Sequence, residues 1–169
     1  PDNPVQYTAE SDTIELQNPT KIGYAFLGWY DNAALSGTAV ESIPQGSTEN
    51  VTLYANWSAL TYDVTFNTQQ GTLTSGSAQK SVTYGLTYGE LPGVERVGFI
   101  FSGWYTAPSG SGVRIEDTTV VTITAPQTLY AYWVAEGYTI TYENLEGAEN
   151  HPDNPVQYTA ESDTIELQN

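Results

Sequence analysis

Apolar and polar residues alternate in short runs along the chain, and the clearest runs predict strands. Tyr62 to Asn67 alternates and is rich in β-branched and aromatic residues, which predicts a first strand. Lys80 to Tyr84 predicts a short second one. Val97 to Tyr105 predicts a third, with Phe99 and Phe101 turned toward a core and Trp104 a further candidate; Gly103 marks a bulge or a close backbone approach. Val113 to Thr124 is β-prone but broken by charge. Thr128 to Val134 predicts the last strand, with Leu129, Ala131 and Trp133 on one face and Tyr130 and Tyr132 on the other. Between these runs, Gln69-Gln70-Gly71, Ser75-Gly76-Ser77, Tyr84-Gly85, Tyr88-Gly89, Leu91-Pro92-Gly93 and the stretch from Ala107 to Gly112 are turn and loop punctuation.

The pattern recurs. Gly98-Phe99-Ile100-Phe101-Ser102-Gly103-Trp104-Tyr105 repeats Gly23-Tyr24-Ala25-Phe26-Leu27-Gly28-Trp29-Tyr30, and Leu129-Tyr130-Ala131-Tyr132-Trp133 repeats Leu53-Tyr54-Ala55-Asn56-Trp57. All four tryptophans lie in these markers. Self-similarity at one spacing signifies an array of like modules. Residues 152–169 also repeat residues 1–18 letter for letter, which predicts a parent array alternating two repeat types, A and B. The expected modules are residues 1–57, a repeat A lacking its first strand; 62–134, a complete repeat B; and 138–169, the N-terminal part of the next A. Residues 58–61 and 135–137 are the expected linkers. Tyr138 to Tyr142 is the expected first strand of A, and Val5 to Trp57 its remainder. Ser11 to Gln17 stays open: Asp12 and Glu15 suit a capped helical turn, whereas alternation of Ile14 and Leu16 suits a strand. Asn18-Pro19 ends the element either way.

Composition narrows the role. A module of about 75 residues buries only about 60–65% of its unfolded surface, and with no cysteine no disulfide can assist. Aromatics must carry much of the core, each fully buried Trp contributing at most about 5 kcal/mol. Four Lys plus Arg stand against 20 Asp plus Glu, a net charge of −16. Such a chain repels nucleic acid and anionic membrane surfaces. The acid is spread along the chain, and no Asp-x-[Asp/Asn]-x-[Asp/Asn]-Gly calcium loop occurs. No apolar run approaches 18 residues, so no membrane insertion is expected. No signal peptide begins at Pro1 and no sorting signal ends at Asn169, so the chain is expected to be a piece of something longer. Absence of Cys and Met fits an exported protein.

The ordered motifs Tyr62-x-Val64-Thr65-Phe66-Asn67, Val82-Thr83-Tyr84-Gly85, Tyr88-Gly89-x-Leu91-Pro92, Gly98-Phe99-x-Phe101-x-Gly103-Trp104-Tyr105 and Leu129-Tyr130-Ala131-x-Trp133 resemble the Listeria–Bacteroides repeat, also called the internalin B-repeat. Repeat A is similar: Asn144-Leu145-x-Gly147-Ala148, then Asn3-Pro4, Tyr7-Thr8-x-Glu10-Ser11, Thr13-Ile14-x-Leu16, Pro19-Thr20-Lys21-x-Gly23-Tyr24, Ile43-Pro44-x-Gly46-Ser47 and Leu53-Tyr54-Ala55-x-Trp57. Repeat B departs in lacking the Pro-Thr-Lys before its Gly98, with Glu95-Arg96-Val97 instead, and in lacking Ile-Pro-x-Gly-Ser before its last strand. The resemblance implies an α+β, strand-dominated class: small β-grasp-like repeats in tandem in bacterial surface proteins, between a binding domain and a cell-wall anchor. It carries no catalytic residues, cofactor or metal. The short linkers make a rod-like array the expectation.

Candidate chemistry is sparse. His151 is the single histidine, with no partner in sequence for nucleophilic or metal chemistry; no enzyme is expected. Trp29, Trp57, Trp104 and Trp133 recur in register, which is what core or inter-repeat packing demands of every module. Tyr30, Tyr54, Tyr105, Tyr130 and Tyr132 are the better candidates for a ligand-contacting face. Lys21 and Lys80, the only lysines, are the candidates for an isopeptide cross-link. The first expectation for function is a structural spacer that projects a binding domain from the cell wall of a bacterium, with neighbouring repeats as partners. The alternative is an adhesive module that binds a host glycan or glycoprotein through surface aromatics. Because an interior first strand cannot be lost without baring backbone groups, residues 138–151 of one molecule are expected to complete residues 19–57 of another, head to tail.

Overall fold

The computed structural model describes residues 3–168; Pro1, Asp2 and Asn169, which belong to the expected modules 1–57 and 138–169, lie outside the described residues. The described residues form strands β1 (Ile14–Glu15), β2 (Tyr24–Tyr30), β3 (Ser42–Ile43), β4 (Tyr54–Ala59), β5 (Thr61–Asn67), β6 (Thr72–Leu73), β7 (Gln79–Thr83), β8 (Val94–Glu95), β9 (Phe99–Tyr105), β10 (Arg114–Ile115), β11 (Gln127–Ala135), β12 (Gly137–Thr139) and β13 (Gln157–Thr159). They fall into two compact units. Of the described residues, one unit holds those up to Tyr62 with 82–87 and 120–125; the other holds 63–81, 88–119 and those from Pro126 onward.

Strand dominance is as expected, but no helix occurs among the described residues, so the helical part of the α+β class is corrected. Between β7 and β8 the chain carries Gly85, Gly89, Pro92 and Gly93. Each Gly there costs a helix about 1 kcal/mol and a Pro about 3 kcal/mol, and the segment takes turns instead. Ser11 to Gln17 resolves as strand: Ile14 and Glu15 pair antiparallel with Ile43 and Ser42. The expected linkers are also mostly strand, since Ser58 and Ala59 pair with Ala25 and Tyr24, and Ala135 pairs with Phe99. Leu60 and Glu136 alone separate consecutive strands there.

The second unit holds most of the five-stranded sheet, in the order β10-β9-β11-β5-β7. β5 is interior and runs parallel to β11, with Val64 opposite Gln127 and Phe66 opposite Leu129. β9 runs antiparallel to β11, and its register slips: Tyr132 faces Gly103 but Trp133 faces Phe101, leaving Ser102 as an extra residue. That bulge carries the core. Phe101 and Trp104 are three apart, so a regular strand would send them to opposite faces. The extra residue turns both rings inward, 5.6 Å apart, with Trp133 5.4 Å from Phe101 and Phe66 5.0 Å from Trp104. Gly103 permits the bulge: its φ is +130°, and an added Cβ would stand 2.8 Å from Nε of Arg114. Val64, Phe66, Trp104, Ile115, Leu129, Ala131 and Trp133 are buried. The two indoles remain polar at one edge, and each finds an acceptor: Trp104 Nε1 donates to Pro92 O at 3.0 Å and Trp133 Nε1 to Thr68 O at 2.8 Å.

The first unit repeats the β9–β11 pair as β2–β4, with Leu27 as the bulged residue and Gly28 at φ +135°. Trp29 Nε1 donates to Gln17 O at 3.1 Å. Residues 82–87 and 120–125 join this unit through backbone bonds: Tyr84 N–H donates to Leu60 O, Gly85 N–H to Val121 O and Val121 N–H to Leu86 O, at 2.8–2.9 Å. Val82 and Val121 are buried.

Candidate functional site

Two features recur in both repeats and are the candidates for function. The first is a turn and its seam. Lys21-Ile22-Gly23-Tyr24 closes through Tyr24 N–H to Lys21 O, and Arg96-Val97-Gly98-Phe99 closes the same way, both at 3.1 Å. Positive φ at Gly23 and Gly98, +77° in each, is what a type II turn requires of its third residue. In each turn the cation lies over the following ring, Lys21 Nζ 4.0 Å from the centre of Tyr24 and Arg96 Cζ 3.6 Å from that of Phe99. Arg96 therefore fills the place of Lys21, and repeat B's lack of Pro-Thr-Lys leaves the turn unchanged. Ile22 and Val97 stand exposed at the tips.

Within the first unit, Leu60 N–H donates to Gly23 O at 2.9 Å and the Tyr84 ring lies on Gly23, where any Cβ would collide with it. Within the second unit, Glu136 N–H donates to Gly98 O at 2.9 Å, and a Cβ on Gly98 would stand 2.8 Å from Cβ of Ala160. Leu60 and Glu136, like Tyr84 and Ala160, are 76 residues apart. The same seam thus forms twice. Tyr24 meets Tyr84 edge-on at 5.6 Å in the one, and Tyr138 meets Tyr158 at 5.3 Å in the other. Tyr138 Oη donates to Glu136 Oε2 at 2.9 Å, and that bond raises the Tyr138 pKa above the ordinary tyrosine value. Alternation alone could not show this seam; the signal for it was the Gly that opens each signature.

The second feature is the outer face of the β9–β11 pair. Tyr105 and Tyr130 are direct cross-strand partners, so they share a face. Tyr132 meets Tyr105 edge-on at 5.6 Å and lies against Gly110. Arg114 borders the group and pairs loosely with Glu116 at 3.7 Å. In repeat A, Tyr30 faces Tyr54, but Asn56 stands where B has Tyr132 and Ala39 where B has Arg114. The structure therefore gathers three of the five candidate tyrosines into one patch and the other two into a smaller one. Tyr54 is exposed and the other four half-buried. Trp104 and Trp133 are buried, whereas Trp29 and Trp57 are half-buried.

The remaining candidates disperse. His151 Nδ1 accepts from Asp153 N–H at 3.3 Å and lies 3.8 Å from the Asp153 carboxylate. Lys80 Nζ donates to Glu90 O at 2.8 Å, and Lys21 Nζ lies on Tyr24 and, at 5.7 Å, near Trp57. Among the described residues no group of three His, Cys, Asp or Glu side chains could hold a metal ion, and no helix is long and apolar enough to cross a membrane.

The Listeria–Bacteroides repeat domain profile matches residues 2–56 and 62–132. The chain belongs to the Listeria–Bacteroides repeat family. It is 33% identical over 128 residues, 74% of its length, to a putative membrane protein of Evansella cellulosilytica, of which that match covers 18%. It is 31% identical over 147 residues to a putative Gly-rich membrane protein of the same organism, covering 78% of the chain and 16% of that protein. Internalin H of Listeria monocytogenes is 38% identical over 96 residues, 54% of the chain and 16% of the internalin. The chain thus spans less than a fifth of the length of these relatives. No solved structure matches it. This repeat family occurs in surface proteins such as internalins.

Proposed function

We propose that this Listeria–Bacteroides repeat chain is a structural spacer of a bacterial surface protein, holding a binding region away from the cell wall. The supporting observation is the seam, formed by Gly23, Leu60 and Tyr84 and formed again by Gly98, Glu136 and Ala160. A connecting residue whose backbone bonds to the signature Gly has little freedom, which favours a stiff connection between successive repeats. Repeated along an array, such a joint yields a rod of small β-grasp-like modules, each with its first strand parallel to its last, as β5 is to β11. The chain's role is extracellular and mechanical, and no catalytic step is assigned to it. The printed names of its relatives, internalin and membrane protein, favour that location. Small-angle X-ray scattering of chains carrying one, two and three A–B periods tests the rod. The maximum dimension is expected to grow by a constant step. A dimension that levels off rejects the reading.

A second reading rests on the Tyr105–Tyr130–Tyr132 patch. Aromatic faces are flat and apolar, and they stack on sugar rings. An adhesive module would bind a host glycan there. Screening the chain and its Tyr105→Ala/Tyr132→Ala variant on a glycan array decides it: binding lost in the variant supports adhesion, and no binding by the parent removes it.

A further inference from the structure

The two repeats carry the same groove. In repeat B it holds about 460 Å³ beside the bulge, lined by Phe101, Gly103 and Trp104, by residues 91–93 and by residues 114–117. In repeat A it holds about 410 Å³, lined by Phe26, Gly28 and Trp29, by Glu15, Leu16 and Asn18, and by residues 39–41. The walls match at a spacing of 75 residues, Leu16 with Leu91 and Glu41 with Glu116. Strand pairing fixes that correspondence, because Trp29 bridges Val40 as Trp104 pairs with Ile115. The groove comes from the bulge itself. The glycine offers no side chain where the strand kinks, and a neighbouring wall is the segment whose carbonyl accepts the indole N–H. Repeat B has this groove with β5 in its sheet, so it does not arise from a missing strand.

The grooves differ in what occupies them. Repeat B fills its own. The Arg114 side chain lies along Gly103, where an added Cβ would stand 2.8 Å from its Nε and 3.5 Å from its Cζ, and Arg114 Nε pairs with Glu116 at 3.7 Å. Repeat A has Ala39 in place of Arg114 but keeps the acid, Glu41 for Glu116, and Glu15 also lines its groove. Glu15 and Glu41 are exposed, and neither carboxylate has an ion-pair partner among the described residues. Repeat A thus presents the bare glycine and the acid without the cation that repeat B lays between them.

We propose that the groove of repeat A binds an arginine side chain presented by a positively charged partner protein, in the place that Arg114 takes in repeat B. A guanidinium is flat and weakly hydrated, so it lies on the backbone at Gly28 and turns N–H groups to Glu41 better than a compact ammonium does. The half-buried Phe26 lines the groove and gives the methylene stem of the side chain an apolar surface. The charge of the whole chain selects the partner. Twenty Asp plus Glu against four Lys plus Arg attract a basic surface and repel a second copy of this chain. One exposed guanidinium–carboxylate contact is weak, so an array of A repeats holds such a surface by adding many of them. The role goes beyond that of a spacer and does not depend on it.

The test uses the isotope-labelled chain and the capped peptide Gly-Arg-Gly, added to millimolar concentration and followed by nuclear magnetic resonance. The indole N–H signal of Trp29 and the amide signal of Gly28 should shift saturably, while those of Trp104 and Gly103 stay. The same peptide with uncharged citrulline for arginine should move neither. Glu41→Gln should weaken binding about two- to fivefold, the worth of an exposed ion pair. Ala39→Arg should abolish it by filling the groove from within the chain. In both variants, unmoved Trp104 signals show that the fold is intact. Arg114→Ala should extend the response to Trp104 and Gly103. A Trp29 signal that moves equally with the citrulline peptide, or that still moves in the Ala39→Arg chain, overturns the proposal. So do Gly28 and Trp29 signals that never move, and so does an Arg114→Ala chain whose repeat B stays silent.

Discussion

Trp104 and Trp29 hold the same position in the two repeats, and only one is sealed from water. Trp104 is 2% exposed and Trp133 is 9%, while Trp29 and Trp57 stay half-buried. Local structure does not explain the gap. Both signatures form the same bulge, both first indoles bond the carbonyl twelve residues back, and Phe26 touches Trp29 and Trp57 at 5.5 and 5.3 Å much as Phe101 touches its tryptophans. What differs is β5. It brings Phe66 onto Trp104, and its continuation brings the Thr68 carbonyl to Trp133. The counterparts of these two residues are Tyr142 and Asn144, at the other end of the chain. Trp57 has no acceptor for its indole N–H among the described residues. The two-stranded half makes the aromatic geometry, and the parallel first strand makes the core.

The largest expected effect follows from supplying that strand. A chain with the sequence of residues 138–151 placed ahead of Pro1 should gain about 3–6 kcal/mol in repeat A from burying two large side chains. Acrylamide quenching should then find Trp29 and Trp57 as protected as the other two tryptophans. Unchanged quenching would mean that the added strand does not pair with repeat A. Next in size is the paired truncation. Trp104→Ala should cost about 3–5 kcal/mol in urea unfolding, as deletion of a fully buried indole does. Trp29→Ala should cost about half as much, and the two costs should converge in the extended chain. Smaller again is the bulge. Gly103→Ala and Gly28→Ala both force a side chain to φ near +130°, a strain of about 1–3 kcal/mol. At Gly103 the obstructing atom belongs to the flexible Arg114, whereas at Gly28 it is Cβ of Ala39, 3.0 Å away, which cannot swing aside. Gly28→Ala should therefore be the costlier of the two, reversing the order of the tryptophan pair.

The period-2 alternation of β5, β9 and β11 was legible in the sequence because each is half-buried, and the repeat was legible because Gly, Phe, Gly and Trp are fixed by the turn and bulge that use them. The duplicated eighteen residues explain what was not. Asn3 and Asn154 make the same pair of bonds, to Gln17 and Gln168, so that local structure is set locally. Yet Ile14–Glu15 is a strand and the identical Ile165–Glu166 is not, since among the described residues the first copy alone pairs with Ser42–Ile43. Elements that exist through a distant partner leave no pattern of their own. The seam at Gly23 and the gathering of Tyr105, Tyr130 and Tyr132 are of that kind, and the helix implied by the resemblance was outweighed by Gly and Pro already visible in the chain.

The smallest effect separates the repeats by pH. Tyr88 is buried, its hydroxyl donates to Gln127 Oε1 at 2.7 Å, and burial raises its pKa above the ordinary tyrosine value. Its counterpart in repeat A is Thr13, and that of Gln127 is Val51, so A has no such group. With the folded pKa raised, the unfolded chain gives up its proton first as pH climbs past about 10. The folded state then binds more protons, and stability falls with pH from that point until the folded phenol itself ionises. Below pH 10 the contribution is fully present. Tyr138 acts with the same sign through its bond to Glu136. The unfolding midpoint of repeat B should therefore drop between pH 9 and pH 11, and Tyr88→Phe should lessen that drop while lowering stability modestly at neutral pH through the lost hydrogen bond. Tyr138→Phe as a companion removes the second contribution. If the drop persists undiminished in the double variant, its source is the remaining tyrosines and not the buried phenol that repeat A lacks.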